Sequence, residues 1–175
     1  SETPNQFLLA FLLADEINQD MPLLDFGFEH PWFQRSTITL DRTDFEFGEI
    51  TNTVINNEFD ATIVERGFHD NQIDAELMRD PKVGQAIARL TPQGLVRYFN
   101  QVDGGQTPVA FAPVRGEGVR TSVDAQGEAT IAWDAPAVGP ALGDAATAYR
   151  VQLSTNGLGF DAGVETTQTS VSIAT

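Results

Sequence analysis

The chain has 175 residues, 41% of them hydrophobic and 20% charged, which is enough for one ordinary core or two small ones. Its net charge is −15 and its 10 Lys and Arg are scattered, so a nucleic-acid surface is excluded and the acidity serves solubility. Cysteine is absent, which removes disulfides and Cys-based zinc sites, and no run approaches the ~18 apolar residues of a membrane span.

No signal peptide is recognisable. Ser1 stands where an initiator Met would, so the sequence reads as a processed chain or an internal piece. Pro4–Asn18 carries Phe7, Leu8, Phe11, Leu12, Ala14 and Ile17 at helical spacing. It predicts an amphipathic helix with Thr3 as N-cap and a wide apolar face laid against a sheet. Met21–Gln34 holds Phe26, Phe28, Trp32 and Phe33, with Pro22 and Pro31 opposing a helix. It reads as a loop tucking its rings over the core, with an aromatic platform for a sugar as the functional alternative. His30 lies in this loop and is expected to face solvent.

Ser36–Leu40 and Phe45–Ile50 alternate as strands do, and Thr51–Glu58 is a polar loop or short helix. Asp60–Val64 is short, apolar and β-branched, and predicts a buried strand that ends at Glu65. Gln72–Arg79 predicts a short helix N-capped by Asn71 or Asp70. Asp80-Pro81 then opens a longer helix with Val83, Ala86, Ile87, Leu90, Leu95, Val96 and Phe99 on one stripe, and Pro92 predicts a kink near Leu90–Thr91.

Gln101–Pro108, QVDGGQTP, has the composition of a linker. The domains are therefore placed at 1–101 and 109–175, with 102–108 between them. Glu128–Asp134, Ala148–Ser154 and Thr169–Ile173 read as short strands, the first holding Trp133 and the second Tyr149. Over about Pro108–Thr175 this pattern resembles a fibronectin type III domain, with Trp133 as its early core tryptophan and Tyr149 as its strand-C tyrosine. A sandwich of that type needs about seven strands, and the second tyrosine expected near the sixth is missing.

A carboxylate outside the carboxyl end of a strand is a candidate general base or metal partner, or otherwise merely solvated, and Glu65 holds that position. Glu65, Gly67, Phe68, Asn71, Asp74 and Met78 follow the order E-x-G-F-x-x-N-x-x-D-x-x-x-(L/M). The order resembles the closing motif of the zinc-dependent N-acetylmuramoyl-L-alanine amidases, the "amidase 3" family. Gly94-Leu95-Val96-Arg97-Tyr98-Phe99 is similar to the run that follows it there. The resemblance covers roughly Phe7–Phe99 and is strongest from Phe59.

The fold class that the resemblances imply is α/β, an amidase-like open sheet with flanking helices. An all-β immunoglobulin-like sandwich follows, and both parts are incomplete. Glu65 is implied as the catalytic carboxylate. Arg66 is a candidate contact for the stem-peptide carboxylate, or else a surface salt-bridge partner. The family binds Zn2+ through two His and one Glu on earlier segments. His30 and His69 lie in no such motif, so the metal ligands are expected outside this chain.

Three explanations stay open: the upstream half is a separate chain after cleavage, it lies outside this chain, or this relative has lost catalysis. The implied activity is that of an exported bacterial peptidoglycan hydrolase, extracellular or in the cell envelope. The alternative is a non-catalytic structural or adhesive surface protein on a degenerate amidase scaffold. Implied partners are peptidoglycan and the remaining part of the same protein or a neighbouring copy. Without such cover, Ser1–Thr175 is not expected to fold stably alone.

Overall fold

The computed structural model describes residues 3–26, 56 and 58–174. The strands expected at Ser36–Leu40 and Phe45–Ile50, and His30, Phe28, Trp32 and Phe33, lie outside them. The described chain is mixed α and β and divides into two compact units, Ser1–Ala110 and Phe111–Thr175.

In the first unit α1 spans Gln6–Asp20 and runs into a single 3-10 turn at Met21–Leu23. Its N-cap is Asn5 rather than Thr3. The Thr3 carbonyl accepts the Gln6 N–H at 3.2 Å, so the turn before the helix is closed by backbone. Leu9, Leu12, Leu13 and Ile17 recur at helical spacing and are buried; Glu16 and Asp20 fall on the same stripe and are buried too. Among the described residues this face meets a helix, α3 (Pro81–Val102), where the sequence suggested a sheet. Phe7 and Phe11 turn away from it, half-exposed, with their rings stacked at 6.3 Å.

Helix α2 spans Gln72–Arg79. Asn71 is its cap: Oδ1 accepts from Ile73 N at 3.0 Å and Asp74 N at 3.2 Å. Asp80 ends α2 and starts α3, its N–H bonding Leu77 O at 3.0 Å and its Oδ1 accepting Lys82 N–H at 2.8 Å. Pro81 follows at the first helical position, where the missing N–H costs nothing. Helix α3 then continues through Pro92 as one segment. The Thr91 hydroxyl donates to Ile87 O at 2.8 Å beside it, and the Ala88 carbonyl that Pro92 cannot serve sits on an exposed turn.

The buried stripe of α3 is Val83, Ala86, Leu90, Gln93, Gly94 and Tyr98, whereas Phe99 is 52% exposed. Of the expected stripe, Val83, Ala86 and Leu90 are buried, Ile87 and Val96 are half-buried, Leu95 packs against the Leu9, Leu12, Leu13 and Tyr98 cluster, and Phe99 alone is exposed. At Gly94 a Cβ would come within 2.9 Å of Leu13 Cα, so α1 and α3 touch backbone to backbone at that point. Beyond α3, Asp103 accepts N–H bonds from Gln106 at 2.9 Å and Thr107 at 2.8 Å, and Asn100 Nδ2 donates to Thr107 O at 2.7 Å. The stretch 102–108 is thereby tied to the end of the helix.

The second unit contains β1 (Glu117–Val123), β2 (Glu128–Asp134), β3 (Tyr149–Val151), β4 (Val164–Thr166) and β5 (Ser170–Ala174). Antiparallel β1-β2-β5 form one sheet and β3-β4 another. The β1–β2 register shifts between Glu117 and Arg120, where Gly118 takes φ 58°, a bulge geometry. Trp133 of β2 is buried and meets Tyr149 of β3 edge-on, with ring centroids 5.2 Å apart.

Candidate functional site

Residues Asp60–Phe68, expected to begin as a buried strand, take no regular secondary structure. Ile63 and Val64 are 40% and 37% exposed. The β-branched run alone does not make a strand; a partner ladder must supply the hydrogen bonds, and no described strand pairs with it. The start of the segment is nevertheless held. Asp60 accepts the Asn5 N–H at 3.2 Å and the Tyr98 hydroxyl, linking α1, the segment and α3.

Burial works to raise the Asp60 carboxyl, but hydrogen bonds from Thr3, Tyr98 and Asn5 outweigh it and hold the group below its ordinary value. Burial and the same Asp60 contact push Tyr98 up to about 12.

Glu65 is exposed and has no hydrogen-bond or ion-pair partner among the described residues. Arg66 and His69 are exposed in the same way, and Arg66 forms no ion pair among the described residues. The turn that follows is firmly built. Phe68 N–H donates to Asp74 Oδ2 at 3.0 Å, and Phe68 O accepts Asn71 N–H at 3.1 Å. Gly67, Asn71 and Asp74 of the motif therefore have local structural duties, and Glu65 stands exposed at the turn's open end. The following run is equally structural: Gly94 admits α1, Arg97 pairs with Glu16, and Tyr98 binds Asp60.

Zinc needs three convergent protein ligands. Among the described residues no group of three or more His, Cys, Asp or Glu is placed to hold a metal ion. Nor is any described helix long and apolar enough to cross a membrane.

Sequence reasoning missed a second polar centre, between α1 and α3. Glu16, Asp20 and Gln93 are each about 95% buried, and Glu16 pairs with Arg97. Glu16 Oε1, Asp20 Oδ2 and both Gln93 amide atoms have no hydrogen-bond partner among the described residues. Burial first, and the Glu16 carboxylate second, raise the Asp20 carboxyl against the pull of Arg97. The signal was present in the sequence: two acids four residues apart on the apolar stripe of α1. Comparisons with family models, with curated proteins and with solved structures returned no match.

Proposed function

We propose that the chain is part of a peptidoglycan hydrolase that cleaves the amide between N-acetylmuramic acid and L-alanine, with Glu65 as its general base and acid. The observation that carries this reading is the motif from Glu65 to Asp74 seen as a structure: an exposed carboxylate at the mouth of a turn that Asn71 and Asp74 hold. Glu65 takes a proton from the attacking water as its oxygen bonds to the carbonyl carbon, and delivers it to the L-alanine nitrogen as the C–N bond breaks. The Zn2+ that the family resemblance implies would be held by ligands outside this chain. Trp133 against Tyr149, and three strands beside two, support a fibronectin type III-like module acting as spacer or wall-surface adaptor.

The test is Glu65→Gln in the intact protein, following amine release from peptidoglycan. A loss of ~10²-fold with unchanged fold is expected, as for removal of a general base. Full activity would remove Glu65 from the mechanism. A second reading, a non-catalytic adhesive surface protein, draws on the second unit, where Leu158 and Phe160 are 90% and 65% exposed in the connection between β3 and β4. An intact protein that is inert on peptidoglycan but retains cell-surface contacts would favour it.

A further inference from the structure

We infer that Asp74 is the residue that positions Glu65, an inference that rests on the hydrolase reading above. Glu65 is exposed, and the described contacts that fix the segment carrying it are those of the turn that follows it. Only Arg66 and Gly67 separate it from Phe68, and Phe68 is gripped at both of its backbone polar groups. Its N–H donates to Asp74 Oδ2 at 3.0 Å, and its carbonyl accepts the Asn71 N–H at 3.1 Å. Gly67 lies directly over the Asp74 side chain, since a Cβ on Gly67 would stand 3.2 Å from Asp74 Cβ.

Asp74 is itself fixed. Its N–H is capped by Asn71 Oδ1 at 3.2 Å, and α2 is joined to α3 through Asp80, which serves both helices. The chain of support runs from the α1–α3 core through Asp80 and α2 to Asp74, and from there to the turn that carries Glu65. A carboxylate in the first turn of a helix is also favoured by the helix dipole. That role needs only its charge, whereas the bond to Phe68 needs an oxygen in one place. The two roles are separable because Asn keeps the oxygen and loses the charge.

The experiment compares Asp74→Ala and Asp74→Asn in the intact protein, reading kcat and KM for amine release from peptidoglycan together with hydrogen exchange of the Phe68 amide. Helix α2 buries no residue, so neither change reaches the α1–α3 core. Asp74→Ala is expected to lower kcat by about tenfold while leaving KM in place, as a displaced catalytic group does, and to speed exchange at Phe68. Asp74→Asn is expected to restore most of both. An active protein indifferent to Asp74→Ala would overturn this inference alone, as would an Asn variant as impaired as the Ala variant. An unmodified protein that releases no amine would overturn the hydrolase reading and this inference with it.

Discussion

The two units bury different things. Up to Ala110 the described core is mostly aliphatic: Leu9, Leu12 and Leu13 cluster with Tyr98, Ile17 and Leu90 are also buried, and the charged Glu16 and Asp20 lie on the same face of α1. From Phe111 on, the buried hydrophobic residues are Trp133 and Ala141, and every residue of β1 is exposed. The first unit spreads its stability over many medium-sized side chains and tolerates acids among them. The second hangs its two sheets on one large ring. A helix pair closes its own backbone bonds and needs only a matched face, whereas small sheets must be joined by whatever side chain is large enough to bridge them.

The sharpest way to break this comparison is to remove that ring. Trp133→Ala is expected to cost roughly 3–5 kcal/mol, the usual range for deleting a buried tryptophan. Because a unit this small has a net stability of the same order, its β signals should vanish in the NMR spectrum while the α1–α3 signals persist. A second unit that keeps its dispersed β resonances would show that the stability there is spread as it is in the first.

The next largest effect tests the acids in the helical core. Arg97→Ala leaves Glu16 buried and uncompensated. With Arg97 40% exposed and Glu16 4%, a loss of about 3 kcal/mol is expected, the lower end for breaking a buried pair. Replacing Glu16 by Leu in the same variant should recover most of the loss in urea unfolding. No recovery would mean that Arg97 stabilises chiefly by its other contacts. Gly94→Ala comes third. Alanine gains about 1 kcal/mol of helix propensity over glycine, but its Cβ would press on Leu13 Cα, which cannot move without shifting α1. A net loss of about 1–3 kcal/mol follows, and a gain would show that the two helices slide apart freely.

These positions also show what the sequence made legible. The Asn71 and Asp80 caps were readable because capping depends on local chemistry: a short acceptor side chain followed by helix formers, and in one case by Pro. The second unit was half readable. β2 and β5 alternate visibly, but β1 reads Glu-Gly-Val-Arg-Thr-Ser-Val and is exposed throughout, so no apolar face announced it, and β4 has three residues. The strand expected at Asp60–Val64 rested on propensity, which a partner ladder must complete. Most of the α3 stripe was legible from its spacing, with Phe99 the exception; Gly94 was not read as a packing residue, although a missing side chain is what lets two helix backbones meet. Glu65 was legible as a residue; the Asp74 contact behind it was not, because it joins positions six apart through a turn.

The smallest expected effect is the most selective. Tyr98→Phe keeps the buried ring and removes only the hydroxyl that Asp60 accepts, so a loss of about 1 kcal/mol at neutral pH is expected. Its pH dependence has two signed parts. Asp60 sits below its ordinary 3.8 in the folded chain, so its contribution is present above 3.8 and fades as pH falls through the lower folded value; the variant should show less of that acid loss. Tyr98 is raised from 10.0 to about 12, so the folded chain holds that proton longer. Its contribution is complete below 10.0 and is lost as pH rises toward about 12. Unfolding measured from pH 9 to 12 should therefore show a decline in the parent that is absent in Tyr98→Phe. An identical alkaline decline in both would place the titrating group elsewhere and remove the Tyr98–Asp60 bond as the tie between the Glu65 segment and α3.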